Sequence, residues 1–275
     1  MDNLNDLVDN IYLINMKKDF DRLEQFKSYF KSDMKFQIID GVDINNKKIN
    51  TIYLNWKKKI MPFTKKNFDW KYYINKYQDL QKAGIKTQKS AWSHYKKFGI
   101  NEMRKCNPIN QIRSIAELGC LLSHINVIKD AIKNKYENIL ILEDDVIPTK
   151  HYKKKILKNL NEYMQKKPWK IIYLSATQTN WDNVKCKNGY YIATKDTKGS
   201  HSYVVKKSSY KIILKEFEKL QNASDVCMVN LQNKYQNQIV VKYPNIFMQD
   251  FSFQSNIWKD HNTKKSILYK KFKWI

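Results

Sequence analysis

Arginine is scarce in this chain: of its 51 basic Lys and Arg residues, only Arg22, Arg104 and Arg113 are arginine. That scarcity argues against a specific nucleic-acid reader, because base edges are read best by the bidentate guanidinium fork. No helix-turn-helix, zinc-finger or RNA-recognition pattern accompanies the basic residues. The formal net charge of +25 is therefore a lysine charge, in a chain rich in Lys, Asn, Ile and Tyr of the kind an AT-rich genome, such as that of a giant virus, encodes. It still favours anionic partners such as sugar nucleotides, phosphates or acidic membrane surfaces.

Cysteine is also sparse. Cys106, Cys120, Cys186 and Cys227 are far apart and form no Cys-x-x-Cys pair, which excludes the usual zinc and redox-dithiol patterns and leaves reduced thiols as the expectation. No run approaches the roughly 18 apolar residues of a membrane span. The first ten residues are polar and acidic, unlike a signal peptide. The expectation is a soluble cytoplasmic protein, in host cytoplasm or virion if the genome is viral, without signal peptide or membrane anchor. A hydrophobic fraction of 42% over 275 residues suffices for one large domain, or for one carrying a smaller module.

The most informative stretch is Asn138 to Pro148, Asn-Ile-Leu-Ile-Leu-Glu-Asp-Asp-Val-Ile-Pro. Four consecutive apolar residues without alternation predict a strand buried on both faces, with the three acids at its end. Strand alternation would project Glu143 and Asp145 together and turn Asp144 away. Two such carboxylates make a hard-oxygen site for Mn²⁺ or Mg²⁺ that can also hold phosphate oxygens. The carboxyl end of a strand in an open α/β sheet is where ligands bind. A solvated acidic turn after a core strand is the plainer alternative.

The rest of the chain surrounds this strand with alternating elements. Ile11 to Asn15 reads as a first buried strand, and Phe20, Leu23, Phe26 and Phe30 mark an amphipathic helix. Phe36 to Ile39 reads as a second strand, closed by Asp40-Gly41-Val42-Asp43. Glu117 begins a helix running to about Lys135, with Ile125, Ile128 and Ile132 on its buried face. Helix 152–165, strand 169–175 and an irregular stretch 182–196 with a possible edge strand at Tyr190 follow. Next come a Gly199 loop feeding a strand, a helix 209–220 capped by Ser208, a helical run after Asp225, a strand 238–242, and a crossing segment 244–250. The lysine- and aromatic-dense segment 68–105 predicts two or three short helices packed as a satellite cluster; binding of a polyanion is the alternative. No other internal repeat is visible.

Segment 68–105 resembles a small helical repeat that accompanies glycosyltransferase domains, with Gln78 in place of its proline and Glu102-Met103-Arg104 in place of Glu-Gly-Arg. The remaining motifs resemble glycosyltransferase family 25, the lipooligosaccharide and collagen galactosyltransferases. They are Ile11 to Asn15 with Arg22, Asp40-Gly41-Val42-Asp43, Glu117-x-Gly119-Cys120-x-x-Ser123-His124, Leu140 to Val146, the Gly199 to Tyr203 loop, Asp225, and Gln249-Asp250, in the family's order.

The resemblance implies a GT-A fold, an α/β Rossmann-like and mostly parallel sheet flanked by helices, over residues 1–67 and 106–275, with 68–105 as the insertion. It also implies inverting transfer of galactose or glucose from a UDP-sugar to a hydroxyl on a glycan or on hydroxylysine of a collagen-like protein. Glu143 and Asp145 would hold Mn²⁺ or Mg²⁺, with His201 or His261 as a further ligand. Asn15, Arg22, Asp40, Ser123, His124 and Asp144 would lie around the donor. Asp225 would be the catalytic base and Asp250 its alternate, although an acid at a helix start such as Asp225 also serves as a cap, and a helical histidine such as His124 also serves in packing. Two other functions stay open: an inactive carbohydrate- or nucleotide-sugar-binding module, and a basic nucleic-acid-binding protein.

Overall fold

The computed structural model describes residues 3–30, 34–43, 45, 47–60, 68–99, 102, 104, 106, 115–250 and 252. Its contacts divide into two units, 1–43 with 116–275, and 44–115. Among the described residues no helix is long and apolar enough to cross a membrane.

The first unit is built on a seven-stranded sheet. Its strands are β1 (Asn10–Asn15), β2 (Gln37–Asp40), β3 (Asn138–Glu143), β5 (Ile171–Tyr173), β7 (Tyr190–Ile192), β9 (Ser202–Lys206) and β10 (Ile239–Lys242), in the order β2-β1-β3-β9-β5-β10-β7. Five strands run one way; β9 and β7 run against them. Ile139 to Leu142 are each 0% exposed, as the unalternating run predicts, and each such side chain contributes about 1.5–3 kcal/mol by leaving water. Leu140 and Leu142 join Ile11, Leu13, Ile172 and Val204 in the core on one face, against Phe26 and Phe30 of α1 (Phe20–Phe30) and Leu157 and Leu160 of α7 (Lys154–Lys166). On the other face lie α6 (Ile115–Lys133), α8 (Tyr210–Phe217) and α9 (Ser224–Lys234), with His124 of α6 packed near the rings of Tyr203 and Phe217.

Direction decides what reaches the acidic end of β3. The parallel neighbours bring their carboxyl ends there: Ile14 pairs with Glu143, and Asn15 with Asp40. Strand β9 is antiparallel, with Ser202 opposite Leu142, so its beginning lies at that edge. The Glu143 amide donates to the His201 carbonyl at 2.9 Å. The loop Gly199–His201 is thereby laid beside the acids. Gly199 has φ of +111°, a backbone state that favours glycine, and a Cβ there would meet His201 at 3.1 Å.

Several local expectations need correction. Ile132 is 39% exposed: one turn after Ile128, the inward position falls to Ala131. Helix α8 starts at Tyr210 after a 3-10 turn Lys207–Ser209, so Ser208 caps nothing; Ser209 is the cap position, and its hydroxyl donates instead to the Lys170 carbonyl. The helix ends at Phe217, and Leu220 has a φ of +53° that no α-helix continues through. Segment 244–250 contains a strand, β11 (Phe247–Gln249), paired antiparallel with β4 (Val146–Pro148). A second ribbon joins β6 (Thr177–Gln178) to β8 (Thr197–Lys198).

The second unit contains α2 (Lys47–Ile60), α3 (Trp70–Lys76), α4 (Gln78–Lys82), α5 (Gln88–His94) and a π turn Tyr95–Gly99. Its bounds exceed 68–105 because α2 lacks the aromatic density by which composition marks the segment. Phe68, Tyr73, Ile74, Leu80, Ala91, Tyr95 and Cys106 form its core, so Phe68, Tyr73 and Tyr95 serve packing, whereas Phe98 is exposed. Asp69 caps α3 by accepting from the Tyr72 amide at 2.9 Å. Arg104 pairs with Asp79 at 2.7 Å and lies 4.9 Å from the Tyr77 ring centre.

Candidate active site

Strand β3 ends at Glu143, and Asp144 and Asp145 form a turn before β4. Simple alternation therefore stops at Glu143, and the expected opposition of Asp144 to Asp145 is replaced by a shared cation. Arg22, on α1, reaches Asp144 Oδ1 at 2.7 Å and Asp145 Oδ2 at 3.4 Å. Asn15, 4% exposed at the end of β1, donates to Asp144 Oδ2 at 2.8 Å. Asn15 and Arg22, expected around a donor, thus brace the acidic turn. From the far side Gln249 donates to Asp145 Oδ2 at 2.9 Å, and the Asp250 amide donates to the Asp145 carbonyl at 2.6 Å.

Glu143 has different partners. His124 Nε2 lies 3.2 Å from its Oε1 and Ser200 Oγ donates to the same oxygen at 3.0 Å. Behind them, Tyr203 Oη is 3.0 Å from His124 Nδ1 and Ser224 Oγ is 2.9 Å from Ser200 Oγ. Burial alone would raise the Glu143 carboxyl, but His124, the nearby His201 and Ser200 outweigh it and hold the group below the usual carboxylate range. Asp145 goes the other way, pushed up by burial and then by the charge of Glu143, with Arg22 offsetting part. Asp144 is raised to about 6 by burial against the opposing pull of Arg22 and Asn15.

Asp144 has a consequence for stability. Its raised carboxyl means that the folded chain binds this proton more tightly than the unfolded one, so stability falls as pH rises from the ordinary carboxylate value of 3.8 through about 6. The loss from this group is about 3 kcal/mol. Glu143, with a lowered carboxyl, contributes in the opposite sense, and that contribution disappears as pH falls below its ordinary value of 4.5. Thermal melts of the cation-free protein at low ionic strength are expected to lose stability between pH 4.5 and 6.5. A flat profile there would show Asp144 to be fully compensated.

The remaining candidates occupy distinct places. Ser123 donates to the Gly119 carbonyl at 2.8 Å and accepts from the Val42 amide at 2.9 Å, tying the turn after β2 to α6. Gly41 belongs to that turn, where a Cβ would lie 2.8 Å from the Met16 side chain. Asp40 stays open at the strand end, paired with Lys17 at 3.0 Å. His201, 3% exposed, has Nε2 2.8 Å from Ser175 Oγ, and burial pushes its imidazole down to about 4 against the opposing pull of Glu143.

Asp225 lies in the first turn of α9, where Ala223 is the cap position and no side-chain cap bond forms. Burial raises its carboxyl, Lys198 opposes this, and Glu117 and Glu143 add to the rise, so it belongs to the electrostatic neighbourhood of the acids. Asp250 accepts from Gln25 at 2.9 Å and from the Ser252 amide and hydroxyl at 2.7 Å each, the arrangement of a latch. His261 lies outside the described residues.

Two oxygens suit a hard cation. Asp145 Oδ1 is buried without a hydrogen-bond partner among the described residues, and both hydrogen bonds to Glu143 fall on Oε1, leaving Oε2 with none among them. An added positive charge would relieve the repulsion between the two groups. A different trio, Cys120, His124 and Glu143, has ligand atoms within 4.8 Å of one another. It fits a hard ion less well: burial drives the Cys120 thiol well above its ordinary value, and both His124 nitrogens already have partners. Sequence reading marks the Gly199 loop and Gln249 without assigning roles to Ser200, Tyr203 or Gln249. Position in a shared motif is the signal they offer.

Residues 8–228 match the family described as "Glycosyltransferase family 25 (LPS biosynthesis protein)". The chain is also similar to procollagen galactosyltransferase 2 of Mus musculus, 23% identical over 169 residues, and of Homo sapiens, 24% identical over the same length. The matched segment covers 60% of this chain and 20% of each relative, so the chain spans about a fifth of the length of these curated relatives.

Proposed function

The chain belongs to glycosyltransferase family 25, and on that premise we propose that it transfers galactose or glucose from a UDP-sugar to a hydroxyl of a glycan or collagen-like acceptor, with inversion and with Mn²⁺ or Mg²⁺. The observation that carries the reading is Asp145 Oδ1, buried without a hydrogen-bond partner among the described residues, together with Glu143, whose hydrogen bonds among them fall on Oε1 and leave Oε2 open, at the carboxyl edge of the sheet. These two side chains would hold the cation, which when bound neutralises charge on the departing diphosphate. Arg22 sits behind Asp144 and Asp145 and keeps the turn from splaying.

In this reading the acceptor oxygen attacks the anomeric carbon as the bond to the diphosphate breaks, UDP departs with that bond's electrons, and Asp225 takes the hydroxyl proton. The raised carboxyl of Asp225 makes it a stronger base than an exposed aspartate. Asp250, with its carboxylate engaged by Gln25 and Ser252, instead closes the strand pair that supports Asp145.

The test is nucleotide release from a panel of UDP-sugars, including UDP-galactose and UDP-glucose, with Mn²⁺ and with EDTA. Cation-dependent release from one or two donors is the expected result. Donor binding without release or transfer under any condition would make the protein a binding module. Salt-sensitive retention on DNA with no donor affinity would make it a nucleic-acid-binding protein.

A further inference from the structure

Taken with a neutral His124 and an ionised Glu143, the contacts around that carboxylate have one consistent hydrogen-bond arrangement. A carboxylate only accepts, so His124 donates to it from Nε2, 3.2 Å from Oε1. In a neutral imidazole Nδ1 is then an acceptor, and its neighbour at 3.0 Å is the Tyr203 hydroxyl, whose proton burial retains by pushing its ionisation well above the ordinary value. Tyr203 therefore donates to His124 and His124 to Glu143. On the second side Ser200 donates to Glu143, which leaves the Ser224 hydroxyl to donate to Ser200. Both chains of donors end on Oε1. His124 and Tyr203 are each 0% exposed, so neither presents an atom at the surface.

We infer that Tyr203 and His124 are positioning residues: the tyrosine fixes the imidazole tautomer, and the imidazole pins Glu143 by Oε1 so that Oε2 is presented to the cation. This rests on the cation reading given above. It replaces a donor-contacting role for His124 with an indirect one. It is also distinct from direct ligation by the Cys120, His124 and Glu143 trio, which would require His124 Nε2 to give up its bond to Glu143.

The test is Mn²⁺ binding followed by electron paramagnetic resonance, with thermal melts in parallel. The wild type should bind the ion and Glu143→Gln should lose it. Tyr203→Phe removes one oxygen from a packed ring and should weaken Mn²⁺ about tenfold, and His124→Ala by up to about a hundredfold, as for other residues that orient a metal ligand. His124→Gln, whose amide can still donate towards Glu143, should recover most of the affinity. Cys120→Ala should bind as the wild type does.

Wild-type affinity in Tyr203→Phe and His124→Ala, with Glu143→Gln still inactive in binding, would overturn the inference alone. Loss of binding in Cys120→Ala without rescue by His124→Gln would overturn it in favour of direct ligation. Absence of Mn²⁺ binding by the wild type would bring down the cation reading and this inference together. If His124→Ala does not fold, Tyr203→Phe and His124→Gln decide between the outcomes.

Discussion

Asp145→Asn is expected to lower cation-dependent sugar transfer by about 10³-fold, the effect of removing roughly 4 kcal/mol of charge stabilisation at the leaving group. The same substitution should raise the melting temperature of the cation-free protein by a few degrees. Both effects have one cause. Asp145 is buried beside Glu143, and its carboxyl is pushed up because the fold holds two like charges together with one partial counter-charge from Arg22. An amide of the same shape removes the repulsion, and Arg22 keeps its shorter pair with Asp144 at 2.7 Å. Kinetics with and without Mn²⁺, together with melts in EDTA, read out both effects. Unchanged transfer would remove Asp145 from the proposed cation site, and a lower melting temperature would show that its charge is used structurally.

Asp225→Asn should reduce turnover by about 10²–10⁴-fold, the usual contribution of a general base, while donor affinity stays within a factor of two. The split follows from position. Asp225 is in the first turn of α9, on a separate element from the acids of β3, and shares only an electrostatic neighbourhood with them. Turnover numbers and donor binding measured on the same preparation test this. A normal rate would leave Asp225 as a partly buried acid that complements the start of its helix. Turnover lost in Asp250→Asn instead would move the base to that residue.

What sequence could reveal depended on how much pattern each element carries. The buried strand at 139–142 declared itself because four apolar residues without alternation have few other homes. The helix from Ile115 was visible through its periodicity, apart from its last turn, where Ile132 faces outward. The two ribbons, β4 with β11 and β6 with β8, have strands of two or three residues, too short to show a period. The direction of β9 was also hidden, since an apolar run reads the same both ways. That direction is what brings Ser200 to Glu143, from 57 positions away in sequence. The acids were therefore legible as acids, whereas the donors that set apart Glu143, Asp144 and Asp145 were contributed by tertiary pairing.

Strand β11 bears on the order in which the acidic turn is secured along the chain. Asp145 takes a side-chain bond from Gln249 and a backbone bond from Asp250, more than a hundred positions later, across a separation of 104 for the first. A nascent chain that has emerged only as far as β10 can assemble the central sheet, yet its acidic turn lacks these two restraints. The acidic turn is thus fastened last, after the strands of the central sheet have all been made.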